Sequence, residues 1–134
     1  MKYLLDSNTC IRFLNQRPPV VVDRLTETPD EDIFVCSIVK AEMFYGSQKS
    51  LRQERNLAVQ RAFFARYVSL PFDDLAADQY ALIRADLEAR GQLIGANDLL
   101  IAAIARAHDL TLVTHNMAEF SRVRGLQLED WEGA

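Results

Sequence analysis

Short apolar runs alternate along the chain with longer amphipathic stretches, and this alternation predicts an α/β order. Tyr3-Leu4-Leu5 is an apolar run cut off by Asp6. Ser7-Asn8-Thr9 offers helix caps, and Cys10, Ile11 and Leu14 continue at helical spacing, so a strand, a turn and a helix are expected. Pro18-Pro19 breaks that helix and opens another, with Val22 and Leu25 as its apolar side. After the turn at Thr28-Pro29-Asp30, Ile33-Phe34-Val35-Cys36 reads as a second strand. Ser37 is the expected N-cap of a helix whose apolar face is Ile38, Ala41, Phe44 and Tyr45, weakened or ended by Gly46. Residues 52–67 predict a helix that gives Leu57, Phe63, Phe64 and Tyr67 to the core and carries Arg52, Arg55 and Arg66 on one solvated face.

Tyr67-Val68-Ser69-Leu70 is a third strand, closed by Pro71. In residues 74–90, Ala76, Tyr80, Ile83 and Leu87 fall at helical spacing, and Gly91 is a natural stop. Residues 99–107, behind Asp98, are apolar nearly all round, which is the mark of a buried helix. Residues 110–113 form a fourth strand, a short helix runs through Glu119-Phe120, and Leu126-Gln127-Leu128 is a candidate fifth, edge strand. Short apolar strands of this kind suit a mainly parallel sheet of four or five strands covered on both faces. With no repeat, low-complexity segment or linker, residues 1–134 read as a single domain.

Composition narrows the class. A hydrophobic share of 49% and a charged share of 25% are ordinary for a soluble globular protein. No apolar run approaches the roughly 18–20 residues of a membrane span, so no membrane partner is expected. Residues 1–6 do not read as a signal peptide. Cys10 and Cys36 lie in apolar surroundings and read as free buried thiols, which suits a reducing cytoplasm. The net charge of −4 argues against a broadly basic nucleic-acid coat. The charge is uneven, however: Lys49, Arg52, Arg55, Arg61 and Arg66 face only Glu54 between residues 49 and 66, a basic island in an acidic chain.

Ligands of open parallel sheets bind beyond the carboxyl ends of the strands. Asp6 stands there after the first strand, Glu42 one turn into the helix after the second, and Asn116 and Glu119 after the fourth; Asp98 opens the buried helix. Clustered carboxylates repel one another unless a cation sits among them. Hard oxygen donors without cysteine, and with His115 as the one nearby imidazole, select Mg²⁺ or Mn²⁺ over Zn²⁺. Such a cation can polarise a phosphoryl oxygen and acidify water, the chemistry of phosphodiester hydrolysis.

Several segments then resemble, in order, the motifs of PIN-domain nucleases, especially the VapC-type toxins of bacterial toxin–antitoxin pairs. Leu4-Leu5-Asp6-Ser7-Asn8 resembles their opening L-D-T-N, and residues 37–46 their S-x-x-x-x-E-x-x-x-G segment. Residues 98–103 are similar to D-x-x-I-A-A, residues 112–120 to L-V-T-x-N-x-x-E-F, and Glu129-Asp130-Trp131 to the usual ending. The resemblance covers nearly the whole chain. It implies a three-layer α/β/α sandwich and an endoribonuclease that uses Mg²⁺, or Mn²⁺, held by Asp6, Glu42 and Asp98, with Glu119 or the Asn116 site as the fourth member. It implies supporting roles for Ser7, Asn8, Thr114 and Asn116. Ser7 stands where threonine is commoner, and Asn116 where many members carry an acid. The implied substrate is a structured RNA, tRNA above all. The implied partners are a cognate antitoxin of the small DNA-binding type, whose tail covers the site, and a second copy of the chain.

Plainer roles stand beside these. Asp6 could be a helix cap, Asp98 a helix-dipole acid, Glu42 and Glu119 solvated acids, Thr114 a strand end and His115 a turn residue. Trp131 reads as a packing residue. Arg52, Arg55 and Arg66 are either a solvated face or a contact for phosphate or a protein. A phosphoacceptor signalling domain would also place acids at strand ends, but it wants an acid pair after the first strand and a late lysine, and no lysine follows Lys49. A haloacid-dehalogenase-type phosphatase would want Asp where Asn8 stands. A non-catalytic PIN-like binding module has no reason to keep a repulsive set of acids.

Overall fold

A computed structural model describes residues 1–133; Ala134, the last residue of the expected domain, lies outside them. Strands Tyr3–Leu5 (β1), Ile33–Cys36 (β2), Val68–Leu70 (β3), Thr111–Val113 (β4) and Leu128–Glu129 (β5) pair in parallel in the order β3-β2-β1-β4-β5. The helices between them are Ser7–Leu14 (α1), Pro19–Glu27 (α2), Ser37–Gln48 (α3), Gln53–Phe64 (α4), Asp74–Ala89 (α5), Ala96–Ala107 (α6) and Met117–Phe120 (α7).

Consecutive strand residues point to opposite faces of a sheet. Leu4 and Leu5 in β1, and Leu112 and Val113 in β4, are nevertheless all fully buried, so the centre of the sheet is covered on both sides. The edge is different: Val68 in β3 is more than half exposed. α6 supplies buried Leu99 and an unbroken buried run from Ile101 to Ala105, as its all-round apolarity requires. Gly91 closes α5 at φ +65, a left-handed conformation in which Gln92 N–H donates to Leu87 O at 2.8 Å.

Local expectations change in four helices. The N-cap of α1 is Asp6, one residue before the expected Ser7-Asn8-Thr9 caps, because its carboxylate accepts from the third N–H of the helix. α2 buries Val21 rather than Val22 beside Leu25. α3 starts at Ser37 itself with Cys36 as N-cap, and it runs through Gly46 to Gln48. Its buried face is Val39, Met43 and Ser47 because it packs against α1, α4 and α6; of the expected face, Ile38 and Phe44 pack partly buried against the core, whereas Ala41 and Tyr45 are exposed. α4 ends at Phe64, so Arg66 is not on it, and Arg52 is its N-cap rather than a member of a helical face.

Candidate metal and phosphate site

Strand order reverses at β1, where the chain leaves toward β2 on one side and β4 pairs on the other. The carboxyl ends of β1 and β4 flank the crevice where a parallel sheet binds ligands. Asp6 follows β1 there. Its backbone N–H donates to Val113 O at 3.2 Å, which extends the β1–β4 ladder, and its Oδ1 accepts from Thr9 N–H at 2.8 Å. The Thr9 hydroxyl donates to Val113 O at 3.2 Å, tying the start of α1 to the end of β4. Asp6 is thus both a helix cap and a wall of the crevice, only 5% exposed. Burial raises its pKa first; hydrogen bonds from Thr114 and Thr9 oppose this, and the charge of Glu42 adds to it.

Glu42 lies mid-way along α3, half-buried, and its Oε1 accepts from the Ser7 hydroxyl at 2.7 Å. Asp98 is the third residue of α6. Burial pushes its pKa up to about 6, helped by a hydrogen bond with Glu119, the charge of Glu119, and the charges of Glu42 and Asp6. Asn116 follows β4; its backbone N–H donates to Thr114 Oγ1 at 3.0 Å and its Nδ2 to Glu119 Oε2 at 3.2 Å. Asp6, Ser7, Asn8, Glu42, Asp98 and Asn116 line one cavity of about 120 Å³, with Ile101 and Phe120 as its apolar wall. Glu119 stands behind it, on Asn116 and Asp98.

The donor set fits a hard divalent cation in kind: carboxylates, a hydroxyl and amides, with like charges close enough to raise Asp98. Among the described residues, no three His, Cys, Asp or Glu side chains are grouped closely enough to hold a metal ion as they stand. A cation held here would offset the mutual repulsion of these carboxylates.

Other candidate residues fall outside the cavity. Arg52 and Arg55 are exposed at the start of α4, whereas Arg66 pairs with Asp30 at 3.1 Å and stacks on Tyr67. Among the described residues, the expected arginine face therefore divides into Arg52 and Arg55, which form no salt bridge, and Arg66, which does. His115 is exposed, with Nδ1 2.9 Å from Asp130 Oδ2, and that contact raises its pKa. Trp131 is buried, set edge-on to Tyr3 and beneath Arg24, which also pairs with Glu129. Cys10 and Cys36 are free and buried. Thr9, Ile101 and Phe120 join the expected site residues; the D-x-x-T spacing of Asp6 and Thr9, and the places of Ile101 and Phe120 in the D-x-x-I-A-A and N-x-x-E-F segments, are the sequence signals that mark them.

The PIN-domain family pattern matches residues 3–126. The chain belongs to the PIN-domain family. Its curated relatives include ribonuclease VapC2 of Haemophilus influenzae, 40% identical over 131 residues and covering 98% of both chains. The tRNA(fMet)-specific endonuclease VapC of Salmonella typhimurium is 38% identical, also over 98% of both chains. Among solved structures, DNA-bound VapBC from Salmonella typhimurium superimposes with a TM-score of 0.92 at 38% identity, covering 98% of each chain. VapBC2 from Rickettsia felis, bound to a promoter DNA fragment, does so with a TM-score of 0.88 at 37% identity, covering 98% of this chain and 99% of that one. Within the PIN-domain family the chain therefore sits with the VapC nucleases, and its five-stranded parallel sheet is the architecture of their solved structures. Among the described residues no helix is long and apolar enough to cross a membrane.

Proposed function

We propose that the protein is a Mg²⁺-dependent endoribonuclease toxin that hydrolyses phosphodiester bonds of structured RNA, tRNA above all, and that a cognate antitoxin blocks it. The observation that carries this reading is the gathering of Asp6, Glu42 and Asp98 around one cavity at the carboxyl ends of β1 and β4. These three acids would hold the cation, with Glu119 or Asn116 completing the set; Mn²⁺ would serve as well. When bound, the cation offsets charge on the phosphate and supplies acidified water for in-line attack. The chain does the positioning. Thr9 fixes Asp6, Ser7 orients Glu42, and Asn116 steadies Glu119. Ile101 and Phe120 limit water on the inner wall.

A relative named for tRNA(fMet) cleavage supports the substrate class, and the DNA-bound VapBC structures support a DNA-binding antitoxin as partner. An antitoxin arginine reaching the carboxylates would compete directly with the cation. The reading includes a homodimer, in which a second copy would cover Leu75 and Leu82, exposed seven residues apart on α5. Free Cys10 and Cys36 fit a reducing cytoplasm. The test is cleavage of total RNA by the purified, antitoxin-free chain. Activity should need Mg²⁺ or Mn²⁺ and disappear with EDTA and in Asp98→Asn. Equal cleavage by wild type and Asp98→Asn would sink the assignment.

A further inference from the structure

α1, α3 and α4 enclose a groove that opens from the carboxylate cavity, since Ser7, Asn8 and Glu42 line both. It holds about 410 Å³ and continues into a second chamber of about 270 Å³ whose lining adds Arg55. Asn56 and Gln60 line both chambers. They stand four residues apart on α4, so their side chains are neighbours on one helix face.

Each amide is hydrogen-bonded to a serine. The Ser50 hydroxyl spends its one hydrogen on Ser47 O at 2.7 Å, so toward Asn56 it can only accept, and it takes the Nδ2 hydrogen at 3.0 Å. Asn56 is left with its Oδ1 as a free acceptor. The buried Ser47 hydroxyl donates to Gln60 Oε1 at 2.9 Å, which leaves both Nε2 hydrogens of Gln60 free. Among the described residues neither free group meets a protein partner. Ile11 and Met43 supply the apolar walls beside them.

A neighbouring donor and acceptor between apolar walls match the edge and faces of a flat, unpaired nucleobase. An aliphatic side chain in the same place would leave both amide groups without partners, at a cost in binding. We propose that this groove is a base-recognition subsite for the RNA substrate. It takes one unpaired base next to the phosphate in the carboxylate cavity, with Gln60 donating to and Asn56 accepting from its edge, while Arg55 pairs with a neighbouring phosphate. The proposal rests on the ribonuclease reading and adds to it the residues that choose the cleavage sequence.

The test uses hairpin RNAs with randomised loops, cut by the full-length protein and read by sequencing the products. Gln60→Glu keeps an oxygen for Ser47 and replaces the free donor with an acceptor. It should shift the ratio of kcat/KM between bases at one position beside the cut by roughly ten-fold, with an unchanged melting temperature. A purely structural role would not move that ratio. Gly46 also lines the groove, and a Cβ built there meets nothing within 4 Å, so Gly46→Leu should fold, fill the groove and raise KM for every base. Wild-type base preference and KM in both variants would overturn the proposal, even if they weakened capture of an antitoxin peptide, which would make the groove a protein site. A wild-type protein that cuts no RNA would overturn the ribonuclease reading and this proposal together. Cleavage with wild-type preference in Gln60→Glu and wild-type KM in Gly46→Leu would overturn the proposal alone.

Discussion

Replacing Asp98 by asparagine should make the cation-free protein more stable while removing its cleavage. Asp98 is pushed from an ordinary 3.8 to about 6 by burial and by Glu119, Glu42 and Asp6. At about 1.4 kcal/mol for each step of pKa, this difference corresponds to about 3 kcal/mol against the charged form. The side chain is only half-buried, and solvent screening reduces that to about 1 kcal/mol. Part of this is lost again, because a carboxylate in the first turn of α6 interacts favourably with the helix dipole by about 0.5 kcal/mol. The net gain of about 0.5 kcal/mol predicts a melting temperature roughly 2 °C higher for Asp98→Asn at pH 7.5 in EDTA. The folded state holds the Asp98 proton more tightly than the unfolded state. Wild-type stability therefore falls as pH rises from 3.8 toward about 6, and the full penalty applies above that. Thermal melts of the two proteins should converge near the lower end of that window and separate above the upper end. A variant less stable than wild type at pH 7.5, or a gap that does not change with pH, would refute the reasoning.

Three further outcomes follow from particular contacts. Ser7→Ala removes the hydroxyl that holds Glu42 and should weaken Mn²⁺ affinity by roughly ten-fold or more, measured by titration, while the melting temperature changes little. Gly46→Ala fills open space within α3 and should stabilise the fold by about 0.5–1 kcal/mol in urea unfolding; destabilisation would mean that the glycine is needed by the fold itself. Asp130→Asn should lower the pKa of His115, followed by its imidazole NMR signals. The His115–Asp130 pair contributes stability below the ordinary histidine range and loses it as pH rises through the raised value, so the variant should lose relative stability only on the acid side.

The strands and the buried helix were legible because their signals are local. Tyr3-Leu4-Leu5 is a continuous apolar run, residues 110–113 are apolar apart from Thr111, and α6 has no polar face to expose. The α3 face was legible at Ile38 and Phe44 but not at Ala41 and Tyr45, for a tertiary reason. Ile38, Ala41 and Tyr45 form a plausible apolar stripe, but packing from α1, α4 and α6 turns Val39, Met43 and Ser47 inward, leaving the other stripe beside Glu42 at the mouth of the site. Arg66 was misplaced because α4 ends two residues earlier and Asp30, 36 positions away in sequence, captures it. Asp6, Glu42 and Asp98, which line one cavity, stand out in the sequence by strand-end position and motif order. The Asn56 and Gln60 amides do not, because their orientation depends on Ser50 and Ser47 and nothing in their spacing marks it.

The central claim is that Asp6, Glu42 and Asp98 hold the divalent cation on which RNA cleavage depends. Free Mn²⁺ measured by electron paramagnetic resonance during titration of the purified chain, alongside the RNA cleavage rate in the same samples, tests it directly. The account predicts that cleavage saturates with Mn²⁺ occupancy, and that Asp6→Asn and Asp98→Asn each bind at least roughly ten-fold more weakly and do not cut. Equal Mn²⁺ binding by wild type and both variants, or cleavage that persists in EDTA, would contradict it.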